Sequence, residues 1–140
     1  MSKHNIFSMP VRVYFQDTDA GGVMYHASYL NFMERSRTEW LRTYGYSNAG
    51  LMKEFGMVFV VRSLKLDYLK PALLDDVLDV TVQIKDIGRS RISLLQSLQR
   101  GKELLTEAEV HLVCVSLESF KPVAVPDVLR NQWNGQGKVR

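Results

Sequence analysis

Apolar residues change their spacing at about residue 26. Val11, Val13 and Phe15 alternate with Arg12, Tyr14 and Gln16, the two-residue period of a half-buried strand. The alternation stops at Asp17-Thr18-Asp19-Ala20-Gly21-Gly22, a cluster rich in turn formers. From His26 onward, Tyr29, Leu30, Met33, Arg37, Trp40, Leu41 and Tyr44 recur every three or four residues. That spacing predicts an amphipathic helix closing at Gly45, about 28 Å long at 1.5 Å per residue. Leu51–Phe55 fits one further helical turn.

The remainder reads as strands. Met57–Leu69 comes first and is closed by Pro71. In Val77–Ile87, the residues Val80, Val82 and Ile84 alternate with Thr81, Gln83 and Lys85. Gly88 breaks that run, Ser90–Arg100 follows, and a tight turn at Gly101-Lys102 leads into Leu104–Leu117. Pro122 and Pro126 end the sheet, and Val128–Trp133 fits a short terminal helix. One strand, one long helix and a run of consecutive strands make an α+β layout. A helix apolar over so much of its circumference needs a sheet that curves around it. The expected organisation is a single domain over residues 1–130, with 131–140 as a flexible C-terminal tail.

Composition narrows the function classes. The 140 residues are 46% hydrophobic and 24% charged, with one Cys, so neither a disordered chain nor a disulfide scaffold fits. The net charge of +3 is spread along the chain. It suits phosphorylated ligands, but no dense Lys/Arg run marks a nucleic-acid arm. The N-terminus lacks an apolar signal region and no stretch of eighteen apolar residues occurs, which points to a cytoplasmic protein with no transmembrane segment.

Several chemistries lack their residues. His4, His26 and His111 are far apart and Cys114 has no Cys partner, so no metal set is expected. The G-x-S-x-G, Walker and G-x-G-x-x-G motifs are all absent. Cys114 and His111 read as strand residues. One dense segment remains, Asp17 to His26, with two carboxylates and two glycines at the start of the long helix. It has two readings. As local structure, Asp supports turns and caps, and Gly-Gly lets the chain reverse. As chemistry, a helix N-terminus offers unpaired N–H groups and partial positive charge, which can hold an oxyanion. A carboxylate just upstream could act there as base or nucleophile.

The run VRVYFQDTDAGGVMYHASYLNFMERSRTEWLR resembles the signature of the hot-dog-fold acyl-CoA thioesterases of the 4-hydroxybenzoyl-CoA thioesterase superfamily, and within it the Tol–Pal-associated (YbgC-type) branch. FVVRSLKLDYLKPALLDDVLDVTV, TEAEVHLVCV and KPVAVP extend the resemblance over about Pro10 to Leu129. It implies the hot-dog fold, a long central helix wrapped by a curved antiparallel sheet of about five strands. The implied function is hydrolysis of an acyl-CoA thioester to a free acid and CoA, with no cofactor and with CoA as part of the substrate. The carrier alternative is an acyl carrier protein. The resemblance also implies a homodimer joined edge to edge, paired again into a tetramer, with active sites at the subunit interface.

By the same resemblance the catalytic carboxylate is Asp19, the second Asp of D-x-D. His26 is the position supplying the oxyanion-hole N–H, and its side chain is implicated as well. Asp17 is then a loop-setting residue, Tyr25 lines the site, and Gly22 lets the loop pass close to the thioester. Arg62, Lys65, Gly88, Arg89 and Ser90 are candidates for the CoA phosphates. Glu34 and Arg37 read as structural. A non-catalytic acyl-binding or scaffold module of the same fold is the alternative function.

Overall fold

The computed structural model describes residues 5–135, so His4 lies outside the described residues. The elements run β1 (Phe7–Arg12), α1 (His26–Arg42), α2 (Asn48–Phe55), β2 (Met57–Tyr68), β3 (Val77–Ile87), β4 (Arg91–Arg100), β5 (Glu103–Ser116) and α3 (Asp127–Asn134), with a 3₁₀ turn at Phe15–Asp17. The strands form one antiparallel sheet in the order β1-β3-β4-β5-β2. The α+β architecture and the five strands match the sequence reading.

The first strand lies nearer the N-terminus than its alternation suggested. It pairs Phe7 with Val82 through to Arg12 with Val77, and Phe15 is 79% exposed rather than part of it. The side chain of Asp17 supplies the reason. Its Oδ2 accepts the Tyr14 N–H at 2.8 Å, so that donor turns away from the sheet and the strand stops. Pro10 is tolerated because β1 is an edge strand.

The long helix buries Tyr29, Phe32, Met33, Ser36, Trp40 and Leu41 against β3, β1 and β4. Each large apolar side chain so buried is worth about 1.5–3 kcal/mol. Phe32, fully buried, takes a core position, while Leu30 stays 40% exposed, contrary to the periodicity. The helix ends at Arg42, before Gly45, whose φ of +86° completes the turn that follows. Register shifts between Val61 and Ser63, Ile84 and Asp86, and Leu98 and Gln99 bend the strands and let the sheet curve. At the far end, α3 runs to Asn134 with Trp133 buried, so it enters the stretch expected as a tail. Residues 136–140 lie outside the described residues.

One polar side chain of β4 sits inside this apolar layer. Gln96 is 2% exposed. Its Nε2 donates to the Met33 carbonyl at 3.1 Å and to Ser36 Oγ at 2.8 Å. Its Oε1 accepts from Arg37 Nη1 at 2.9 Å, and Ser36 Oγ donates in turn to the Met33 carbonyl at 2.9 Å. Burial pulls the Arg37 guanidinium below its ordinary value, partly offset by the nearby Glu34 carboxylate. Arg37 is structural in the sense its sequence suggested. We expect Gln96→Leu to strip the guanidinium of its acceptor and lower the unfolding free energy by about 1–3 kcal/mol. Urea titration would register this as a lower midpoint at an unchanged slope.

Candidate active site

The segment leading into α1 is a short hairpin. Tyr25 N–H donates to the Asp17 carbonyl at 2.9 Å, Thr18 bridges Met24, and Asp19 N–H donates to the Val23 carbonyl at 2.9 Å. The tip closes with Gly22 N–H on the Asp19 carbonyl at 3.1 Å. Gly22 has φ +80°, a conformation that L side chains rarely adopt. The hairpin is pinned to the β2–β3 connection by Met24 N–H on the Ala72 carbonyl (2.9 Å) and Leu74 N–H on the Gly22 carbonyl (3.0 Å).

The two aspartates differ in environment. Asp17 is 8% exposed and spends its carboxylate on Tyr14 N–H. Asp19 is half-buried, and its Oδ1 accepts Gly21 N–H at 2.8 Å, an Asx-type turn that sets the side-chain direction. Beyond the hairpin, Tyr25 is the N-cap of α1 and makes no side-chain capping bond, and the first helical turn carries no acidic residue. By helix geometry the N–H groups of His26 and Ala27 have no intrahelical acceptor. The positive end of α1 therefore opens beside the hairpin that carries Asp19, with Tyr25 half exposed next to it.

Two tyrosines complete this corner; spacing placed Tyr29 on the helix, but the meeting with Tyr68 was not legible from it. The Tyr68 ring stacks on the His26 imidazole at 4.6 Å, and its hydroxyl donates to the His26 carbonyl at 3.3 Å. Tyr29 meets Tyr68 edge-on at 5.0 Å, and the Tyr29 hydroxyl oxygen accepts Ala72 N–H at 3.0 Å. Desolvation, and secondarily the neighbouring Tyr29, raise the Tyr68 phenol above its ordinary value. Tyr68 comes from β2, forty-two residues after His26, so only the fold unites them.

The phosphate candidates divide. Arg62 and Gly88 line one cleft of about 400 Å³ together with Ser63, Asp86, Arg91, Ser93 and His111. Arg89 and Ser90 belong to the same turn. Arg130 of α3, unforeseen in the sequence, donates from Nη2 to the Gly88 carbonyl at 2.7 Å and to the Arg89 carbonyl at 2.8 Å. Lys65 instead lines a separate hollow with Asp67, Leu95 and Glu107. Because Gln96 points at α1, Ser93 and its cross-strand neighbour His111 lie on the opposite face of the sheet. His111 is half-buried there, its Nδ1 at 2.8 Å from Ser93 Oγ and its Nε2 at 3.1 Å from Glu109. Six residues along β2 separate Arg62 from Tyr68, about 20 Å at 3.3 Å per residue, so one protomer does not bring the cleft to the His26 corner.

A sequence profile of the thioesterase-like superfamily matches residues 13–133. The chain belongs to that superfamily. Among thioesterase-like proteins it is 48% identical over 122 residues to the acyl-CoA thioesterase YbgC of Haemophilus influenzae, spanning 87% of this chain and 90% of that one. The acyl-CoA thioesterase YbgC of Helicobacter pylori is 34% identical over 135 residues, spanning 90% of this chain and 98% of the relative. The crystal structure of a probable thioesterase from Bartonella henselae superposes with a TM-score of 0.83 at 34% identity, covering 87% of this chain and all of that one.

Cys114 lies in β5 away from this corner, fully buried, and burial pushes its thiol up to about 11. Native protein should therefore resist thiol reagents at pH 8, whereas urea-unfolded protein should react promptly. An unfolded thiol ionises near pH 8.5. The folded value is the higher one, so the stability Cys114 contributes is fully present below about pH 8.5 and disappears as pH climbs to about 11. Rapid native labelling at pH 8 would contradict this placement.

Proposed function

We infer that this chain hydrolyses acyl-CoA thioesters to a carboxylic acid and CoA, with Asp19 and the N-terminus of α1 as the reacting centre. Support for this reading comes from the hairpin: Asp17–Tyr25 closure and the Asp19–Val23 bond fold the segment that carries Asp19 immediately ahead of the uncapped first turn of α1, in a chain of this superfamily. The thioester oxygen would accept the His26 N–H, so that negative charge develops at the positive end of α1. Asp19 then has two routes. As base it takes a proton from water, which adds to the carbonyl carbon as the C–S bond breaks. As nucleophile it forms a mixed anhydride that water opens. Either way the CoA thiolate leaves and is protonated. Tyr68, stacked on His26, fixes the orientation of the imidazole.

The pantetheine and nucleotide would extend toward the Gly88–Ser90 turn and Arg62, where cationic side chains line the cleft. Because that cleft and the His26 corner are separated within a protomer, a complete site draws on two copies. The outer edge of β2 supports such pairing. It is an unpaired sheet edge carrying exposed Val60, Val61, Leu64 and Tyr68, the kind of edge that invites another strand. We therefore propose a homodimer through β2, assembled further into a tetramer, working in the cytoplasm as a member of the Tol–Pal-associated branch. An acyl carrier protein would serve as carrier if its phosphopantetheine presents the same thioester. Among the described residues no helix is long and apolar enough to cross a membrane.

Replacing Asp19 with Asn should lower kcat by ~10²–10⁴ on every acyl-CoA, the range for a lost general base. Thiol release followed spectrophotometrically reads this directly. His26→Ala should cost less, because the backbone N–H survives. Wild-type rates in the Asp19 variant would remove it from the chemistry. Absence of thiol release by wild-type protein would favour the acyl-binding module instead. In sedimentation, the protein should weigh at least twice its 16.1 kDa chain; a purely monomeric mass would overturn the edge-paired site.

A further inference from the structure

One guanidinium grips the connection between β2 and β3. Arg100 ends β4, and its Nη1 donates to Asp76 Oδ2 at 2.7 Å and to the Pro71 carbonyl at 3.4 Å. Its Nε and Nη2 both reach Glu103 Oε1, at 3.1 and 2.7 Å. The other oxygen of Glu103 accepts from Lys70 Nζ at 2.8 Å. Lys70, Pro71 and Asp76 all belong to the connection, so both of its ends are drawn toward the same cation. A planar fork of donors suits arginine to this task.

The connection needs such a grip. Asp75 has φ +70°, a left-handed conformation that a non-glycine residue keeps where its surroundings hold it. Arg12 Nη1 donates to the Asp75 carbonyl at 2.8 Å, and the Asp75 N–H donates to the Val13 carbonyl at 3.0 Å. Asp76 then closes the bend. The Oδ2 that takes Arg100 also accepts the Leu73 N–H at 2.8 Å, while the Asp76 N–H donates to the Leu73 carbonyl at 3.1 Å. Leu73 and Asp76 thus close a reverse turn from both sides.

The Asp19 hairpin is seated on that turn. Leu73 bridges Val23, flanked by the Met24 bond to Ala72 and the Leu74 bond to Gly22. The Val23 carbonyl in turn accepts the Asp19 N–H at 2.9 Å. A continuous series of contacts therefore runs from Arg100 through Asp76, Leu73 and Val23 to Asp19. The Arg100 and Asp76 side chains are 31% and 19% exposed, and ion pairs this open to water add little to stability. What the pair does fix is the shape of the connection on which the hairpin rests.

We propose that Arg100 is a positioning residue for the hydrolysis: acting through Asp76 and Leu73, it sets where the hairpin, and with it the Asp19 carboxylate, stands. The proposal rests on Asp19 being the reacting carboxylate, and it adds to that reading a residue that touches no substrate. Small displacements of a reacting group are costly in rate even when their origin is remote.

The test compares kcat and KM of wild-type protein, Arg100→Gln, Asp76→Asn and the double variant on acetyl-, octanoyl- and benzoyl-CoA. Each single substitution should lower kcat by ~10-fold or more on every substrate that wild-type protein hydrolyses. KM should stay nearly unchanged, because the groups that bind substrate remain in place. The double variant should lose no more than the worse single one, since both act through one link. Glu39→Gln, which opens the exposed Glu39–Arg42 pair at the far end of α1, should keep the wild-type kcat. Circular dichroism reports the folded fraction; if Arg100→Gln fails to fold, Asp76→Asn carries the comparison. Wild-type kcat in folded Arg100→Gln, beside an impaired Asp19→Asn, overturns the proposal and leaves the thioesterase reading intact. A raised KM at unchanged kcat, or losses that add in the double variant, overturns it as well. No thiol release by wild-type protein, or full activity in Asp19→Asn, overturns both readings.

Discussion

A buried amide must find its partners inside the protein, and Gln96 finds them on α1. Its donors reach Met33 and Ser36 and its acceptor meets Arg37. Apolar contacts alone tolerate sliding, whereas these bonds hold only at one axial position and one rotation of the helix. A slip of one turn, about 5.4 Å, would leave a buried amide and a guanidinium unmatched. The start of α1 is thereby fixed against the sheet, and with it the point where the His26 and Ala27 N–H groups open. The hairpin of Asp17–Tyr25 is tied to the β2–β3 connection, so the segment carrying Asp19 and the helix that follows it are held by independent fastenings.

The sheet distributes its chemistry over two faces. Tyr68 and Leu64 lie on the side of α1, whereas Ser93 and His111 lie on the other. The register shift between Val61 and Ser63 inserts Arg62 between these faces on the free edge of β2. A long ligand that begins at the helix and ends at basic side chains on the outer face therefore has to cross a strand edge, and β2 is the edge that carries both Tyr68 and Arg62.

Much of this was readable from the chain. The helix start at His26, the three strands from Val77 to Ser116 and the turn-rich hairpin follow from spacing and from Gly and Asp positions, since each is set by neighbours in sequence. The first strand misled, because a carboxylate three residues away withdrew the Tyr14 N–H from the ladder. Leu30 misled because periodicity marks an apolar face without saying whether protein or ligand covers it. Tyr68, Arg130 and the Trp40–Trp133 stack were beyond reach, since their partners lie in other elements and no local pattern predicts them.

Arg130 ties both carbonyls of the Gly88–Arg89 bend to the last helix, and Trp133 three residues later seals the aromatic stack. During synthesis on the ribosome, strands β3 and β4 are made before either side chain exists. The bend between them must wait unfastened until the end of α3 has left the exit tunnel. Maturation of that corner therefore waits on the last helix.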